Sequence, residues 1–174
     1  RLIQDFVINK LSNWHVRLSR RRFWKGEYNT NKFSAYQTLY ECLEKIALIS
    51  SPIAPFFMDT LFYNLNQVSK KSLLTSIHLA DFPKVEKDKI NIDLEEKMQL
   101  AQKISSMALS LRKKEGIRVR QPLQKILIPV LNEKVKLYIN SMKEIILSEI
   151  NVKNIELVDE NSRFFTKNIK PNFK

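Results

Sequence analysis

Apolar residues recur at helical spacing along most of this 174-residue chain, and the period shortens to two only beyond Lys125. Over residues 1–25 the stripe is Ile3, Val7, Leu11, Trp14 and Leu18, at steps of four, four, three and four. That is one face of an α-helix. Continued by sevens, the same line meets Arg21 after Trp14 and Lys25 after Leu18, so it turns basic at its end. Either this end projects beyond its bundle, or the arginines pair with acids from distant helices, such as Glu41 or Asp59. Gly26 then marks a C-terminal stop. A second helix is expected from Asn31, carrying Tyr36, Leu39, Tyr40, Leu43, Ile46 and Ala47 before Ser50-Ser51-Pro52. Pro52 and Pro55 suit the start of a third, with Ile53, Phe56, Phe57, Leu61 and Leu65. Residues 66–93 read as a polar connector. A long helix follows with Leu94, Met98, Ala101, Ile104, Ala108 and Leu111, ending near Gly116.

The period then changes. Ile126, Ile128 and Val130 alternate as a strand, Val135, Tyr138, Ile139, Met142, Ile145 and Ile146 return to helix, and Ile155 and Leu157 alternate again. A β-α-β unit of this kind is expected to have parallel strands and a right-handed crossover. An extended piece around Phe164–Ile169 is a candidate third strand. The expected fold is mainly α: a bundle of roughly four helices over residues 1–116, including the connector 66–93, followed by a small α/β unit over 117–174.

Chemistry is sparse. Gly26 and Gly116 are the only glycines and stand alone, which excludes a Walker loop and a dinucleotide fingerprint. One cysteine, Cys42, excludes an internal disulfide and a cysteine-based zinc site and suits a reducing compartment. No stretch approaches ~18 apolar residues without a charge, so no membrane span is expected. Large apolar residues recur throughout, which excludes intrinsic disorder. The opening Arg1-Leu2-Ile3-Gln4-Asp5-Phe6 reads as mid-helix without a cap or an initiator Met, as expected of a piece of a longer chain. His15 and His78 lie in different segments with no nucleophile or ligand at useful spacing. His15 is expected on a helix surface and His78 as a structural hydrogen-bonder. Glu95-Glu96 suits the positive end of a helix. Asp59 and Glu41 are expected to pair with lysines, Cys42 to be a buried inert thiol, and Tyr36, Tyr40, Phe56 and Phe57 to fill the bundle core.

Charge is the stronger signal. The chain has 30 Lys+Arg against 18 Asp+Glu, a formal net charge of +12. The excess is clustered. No acid falls between Asp5 and Glu27, where Lys10, Arg17, Arg20, Arg21, Arg22 and Lys25 lie. A second block holds Arg112, Lys113, Lys114, Arg118, Arg120 and Lys125, and a third Arg163, Lys167, Lys170 and Lys174. Such blocks favour a polyanionic partner over a uniformly solvated surface. Arg forks onto phosphates and stacks on bases, whereas Lys acts as a point charge. Trp14 lies on the apolar stripe and is expected in the core. Trp24 lies off it and is the better stacking candidate, with packing on a neighbouring helix as the bland alternative.

These residues resemble a family. Leu11-Ser12-Asn13-Trp14-His15-Val16-Arg17, with Ser19-Arg20-Arg21-Arg22-Phe23-Trp24, is similar to the signature opening the anticodon-binding helical domain of isoleucyl-tRNA synthetases, class I aminoacyl-tRNA synthetases. Ile53-Ala54-Pro55-Phe56, Ser76-Ile77-His78-Leu79-Ala80-Asp81-Phe82-Pro83, Val119-Arg120-Gln121-Pro122-Leu123, Glu149-Ile150-Asn151-Val152-Lys153 and Lys170-Pro171-Asn172-Phe173-Lys174 follow in family order. The resemblance covers essentially the whole chain. Valyl and leucyl synthetases share the bundle, but the Asn-Trp-x-Val-Arg…Arg-Phe-Trp combination and the Asn-Val-Lys block resemble the isoleucyl enzyme. The departures are His15 for Tyr and Ile77 for Val.

The resemblance implies a cytoplasmic, monomeric ligase that charges isoleucine tRNA using ATP and Mg²⁺. Its catalytic and editing domains are not in this chain, so the fragment would be non-catalytic and need no cofactor or metal itself. Its partners would be the anticodon stem-loop of isoleucine tRNA and the catalytic domain of the same polypeptide, with no membrane. The residues expected at the tRNA are Arg17, Arg20, Arg21, Arg22, Trp24, Lys25, Lys113, Lys114, Arg118 and Arg120. A generic basic RNA- or DNA-binding helical module and a basic domain that docks acidic proteins or membranes are the rival classes; several linked motifs in order discriminate against both.

Overall fold

Ser19 interrupts the first helical run. α1 (Leu2–Asp5) passes into a π-wound segment, Phe6–Val16, and the chain re-enters helix at α2 (Arg20–Trp24). Ser19 has φ −83° and ψ 2°, outside the helical region, and is buried. The line drawn from Ile3 to Leu18 assumed one unbroken α-helix. Wider winding followed by a break changes the phase, so Arg21 and Lys25 leave the stripe instead of being carried into the core. Gly26, at φ +81°, lies in the left-handed region just after α2 and ends it.

The computed structural model describes residues 1–130 and 132–159, and its contacts divide the chain into two units, Arg1–Lys87 and Asp88–Lys174. In the first, α2 packs on α3 (Thr30–Ser50), and α3 on α4 (Pro55–Ser69). Asn29 caps α3 by accepting from Lys32 N at 2.9 Å, and Pro55 occupies the first turn of α4. A short 3₁₀ turn, Ile77–Leu79, closes onto α4. The core is Ala47, Phe62 and Ile77, with Leu48, Met58 and Leu61 against it.

That core corrects the expected one. Phe56 is 88% exposed and Phe57 67%, Tyr36 is also exposed, and Tyr40 is half-buried. Met58, Leu61 and Phe62 form the inward face of α4, and helical geometry then turns Phe56 and Phe57 to solvent. Among the described residues, Asp59 pairs with no lysine. It accepts from Ser76 Oγ at 2.7 Å and Ile77 N at 2.8 Å, pinning the connector to α4. Those hydrogen bonds, Ser76 first and Ile77 second, hold its carboxyl below the usual aspartate range. Glu41 accepts from Gln37 Nε2 at 2.8 Å, and neither acid meets Arg21. The Cys42 thiol is half-buried, and burial, with Glu41 beside it, pushes its pKa up. The His78 side chain is exposed; its contribution to the turn is a backbone N–H donated to Ser76 Oγ at 3.3 Å.

In the second unit, α5 (Ile92–Lys114) begins at Asn91, whose side chain accepts from Leu94 N, and packs on α6 (Glu133–Ser141) and α7 (Lys143–Ile150). The expected single crossover helix breaks at Met142, with φ −105° and ψ 10°. β1 (Leu123–Val130) pairs with β2 (Val152–Asp159) in parallel, Ile126 opposite Ile155 and Ile128 opposite Leu157. The mainly α fold with a small β-α-β unit is as expected. The contact division at Lys87 falls before the expected bundle end at residue 116, because α5 buries its stripe against α6 and α7. Glu96 does more than sit at a helix start: it accepts from Lys134 Nζ at 2.8 Å and Tyr138 Oη at 3.1 Å, tying α5 to α6. The candidate strand at Phe164–Ile169 and the third basic block lie outside the described residues.

Candidate nucleic-acid interface

At 3.6 residues per turn, Arg20, Arg21 and Trp24 share one side of α2, while Arg22 and Phe23 face the other. The inward pair anchors the helix. Phe23 packs against the Tyr36 ring at 5.1 Å, tilted by 53°, and sits edge-on to His15 at 6.5 Å, and Tyr36 Oη donates to the Phe23 carbonyl at 3.0 Å. Arg22 Nη2 donates to the Asn31 carbonyl at 2.7 Å, which ties α2 to the start of α3. Of the expected tRNA contacts, Arg22 is therefore half-buried and partly committed to the fold.

The outward group is different. Arg17, Arg20, Arg21 and Lys25 are exposed, and Trp24 is 80% exposed despite its size. The side chains of Arg20, Arg21, Trp24 and Lys25 have no hydrogen-bond or ion-pair partner among the described residues, and together they line a cleft of about 350 Å³. Packing of Trp24 on a neighbouring helix, the bland alternative, does not occur. Trp14 is buried, as its place on the stripe required.

His15 corrects the surface expectation. It is half-buried, with Nε2 enclosed and without a partner. Burial first, and the Arg22 charge second, hold its pKa below the ordinary imidazole value. The unfolded chain therefore takes up a proton before the folded one does, so stability falls as pH drops below the ordinary value towards the folded pKa. Denaturation midpoints of the first unit should decline between about pH 7 and pH 5. His15→Gln should flatten that decline; an unchanged decline in the variant would contradict this assignment.

The remaining candidates belong to the second unit. Lys113 and Lys114 are exposed at the C-terminal end of α5, where cations also suit the helix dipole, and Arg118 and Arg120 are exposed on the following loop. Arg112, counted in this basic block but not among the expected tRNA contacts, faces inward. It is 4% exposed, and its guanidinium donates to the carbonyls of Arg118 (3.2 Å), Gln121 (3.0 Å) and Asn151 (3.0 Å). Asn151 Nδ2 in turn donates to the Val119 carbonyl at 2.9 Å. The loop bearing Arg118 and Arg120 is thus fastened to the helix before it and to the turn before β2. A signal existed: Ala101, Ser105, Ala108 and Arg112 lie at steps of four, three and four, on the buried line of α5.

The arrangement offers two separate basic groups, one in each unit, with an exposed indole in the first. A family model described as "Anticodon-binding domain of tRNA ligase" matches residues 1–128. The chain belongs to that family. This anticodon-binding domain is 56% identical over its whole length to the isoleucine–tRNA ligase of Cytophaga hutchinsonii, covering 16% of that protein. It is 49% identical to the ligase of Bacteroides thetaiotaomicron and 45% identical to that of Porphyromonas gingivalis, covering 15% of each. The domain therefore spans about one-sixth of the length of the curated relatives it matches. No helix among the described residues is long and apolar enough to cross a membrane, and no three of their His, Cys, Asp and Glu side chains are grouped to hold a metal ion.

Proposed function

We propose that this chain is the anticodon-gripping part of an isoleucine–tRNA ligase, a cytoplasmic monomer that charges isoleucine tRNA. The observation that carries this reading is the outward face of α2, where three cations without a partner among the described residues flank an exposed Trp24. RNA is commonly recognised through its phosphates and through loop bases splayed onto aromatic or guanidinium planes. Arg20, Arg21 and Lys25 supply the first kind of contact and Trp24 the second; base–aromatic stacking is worth about 1–3 kcal/mol per base. Arg17 adds a phosphate contact in the same unit, and Lys113, Lys114, Arg118 and Arg120 offer phosphate contacts of their own in the second unit. The functional division is placed after α5, into residues 1–116 and 117–174, on the change of period from helix to strand beyond Gly116.

ATP and Mg²⁺ belong to the catalytic domain of the same polypeptide. Gly26 and Gly116 stand alone in the sequence, which therefore carries no glycine-rich phosphate loop. The isolated chain is accordingly expected to catalyse no isoleucine-dependent pyrophosphate exchange and no aminoacylation. Exchange above a no-protein blank would overturn that expectation. Ribonuclease footprinting on isoleucine tRNA tests the function itself. Protection should be confined to the anticodon arm, and protection of the acceptor stem instead would refute the reading.

A further inference from the structure

Beside the outward face of α2, and sharing Arg21 and Lys25 with it, a second cleft of about 220 Å³ opens between the end of α2 and the start of α3. Arg21, Arg22, Lys25 and Lys32 all line it, against one acid, Glu27. Lys32 is the telling residue. It is only 7% exposed, yet no carboxylate lies within ion-pair distance of it among the described residues. Its ammonium donates to the Gly26 carbonyl at 3.2 Å and sits 4.4 Å from the centre of the Tyr28 ring. An ammonium has three protons to donate, so one carbonyl and one ring leave it under-compensated, and a buried charge without a counter-ion is costly. The Arg22 Nε is likewise buried without a partner.

We infer that this cleft is a seat for one phosphate group, closed on its inner side by Lys32 and on its outer side by Arg21 and Lys25. The ligand chemistry follows from the donors: several cationic N–H groups line a space too small for a folded partner and large enough for a tetrahedral phosphate anion. Under the tRNA reading, on which this inference rests, the occupant is a backbone phosphate of the anticodon arm. Lys32 is then an RNA-contacting residue hidden from any survey of exposed basic side chains.

Two titrations of the 174-residue chain test this, one with inorganic phosphate and one with an anticodon stem-loop of isoleucine tRNA. Each uses the wild type, Lys25→Ala, Lys32→Gln and the double variant, with thermal transitions recorded alongside. Lys25→Ala guards against misfolding of the buried variant, since the Lys25 side chain has no partner to lose. Phosphate should shift the NMR signals of the Gly26 amide and the Lys32 ammonium saturably, and Lys25→Ala should abolish the effect. Stem-loop affinity should drop about tenfold in each variant, with the salt slope reduced by about one. Because both lysines would share one phosphate, the double variant should lose less than the product of the singles. If the stem-loop binds the wild type and both variants alike, the phosphate seat is wrong while the tRNA reading stands. If phosphate shifts these signals but no stem-loop binds, the seat stands for free phosphate and the tRNA reading fails.

Discussion

Replacing Arg20, Arg21, Trp24 and Lys25 together by alanine is expected to lower affinity for the anticodon arm by at least about two orders of magnitude, with the salt slope falling by about two. The magnitude comes from two phosphate contacts, one of them shared by Arg21 and Lys25, and one stacked base, the last alone worth about 1–3 kcal/mol. The fold should hardly notice. None of the four side chains has a partner among the described residues, and α2 is anchored by Phe23 on Tyr36 and by Arg22 on Asn31 instead. Substitutions at such exposed positions usually change stability by less than about 0.5 kcal/mol. Fluorescence anisotropy with a labelled stem-loop, alongside a melting curve, reads both quantities. A variant that keeps wild-type affinity would remove the α2 face from the interface.

Arg112→Ala should have the opposite profile, with loss of the fold preceding any loss of binding. Its guanidinium serves the carbonyls of Arg118, Gln121 and Asn151 from a position that is 4% exposed. Truncation leaves those acceptors without their donor and opens a cavity. Hydrogen bonds from a charged donor are worth about 1.5–3 kcal/mol each, so a loss of about 3 kcal/mol or more follows. For a unit of this size that is a drop of about 12 °C or more in the transition of the second unit. The Arg118–Leu123 loop should exchange its amides much faster. A transition within about two degrees of wild type, where ~0.5 kcal/mol would lie, would show that the buried guanidinium is dispensable.

The contrast between Arg112 and Arg21 shows what could be read from the chain beforehand. Helical periodicity located α3, α4 and α5, and the shift to period two located both strands, because a residue's face follows from its spacing alone. Spacing failed where the backbone departed from regular winding. The π-wound segment and the break at Ser19 could not be read from apolar positions, so Arg21 was projected onto a stripe it does not occupy. Phe56 and Phe57 failed for another reason: aromatic content says that a residue favours burial, not which side of α4 meets a partner. Charge clusters located the candidate interface but could not separate its members. Arg22, from the first block, is tied to the Asn31 carbonyl at the start of α3, and Arg112, from the second, to carbonyls of the following loop, and such ties depend on where the chain returns.

Binding of the 174-residue chain to isoleucine tRNA, to another tRNA and to duplex DNA, compared across a salt series, tests the central claim most directly. The account predicts tightest binding to isoleucine tRNA at every salt concentration, with log affinity falling steeply against log salt, at about 0.7–0.9 per phosphate contact. Equal affinity for all three at moderate salt would contradict it and leave only a generic basic surface, and an affinity independent of salt would remove the phosphate contacts altogether.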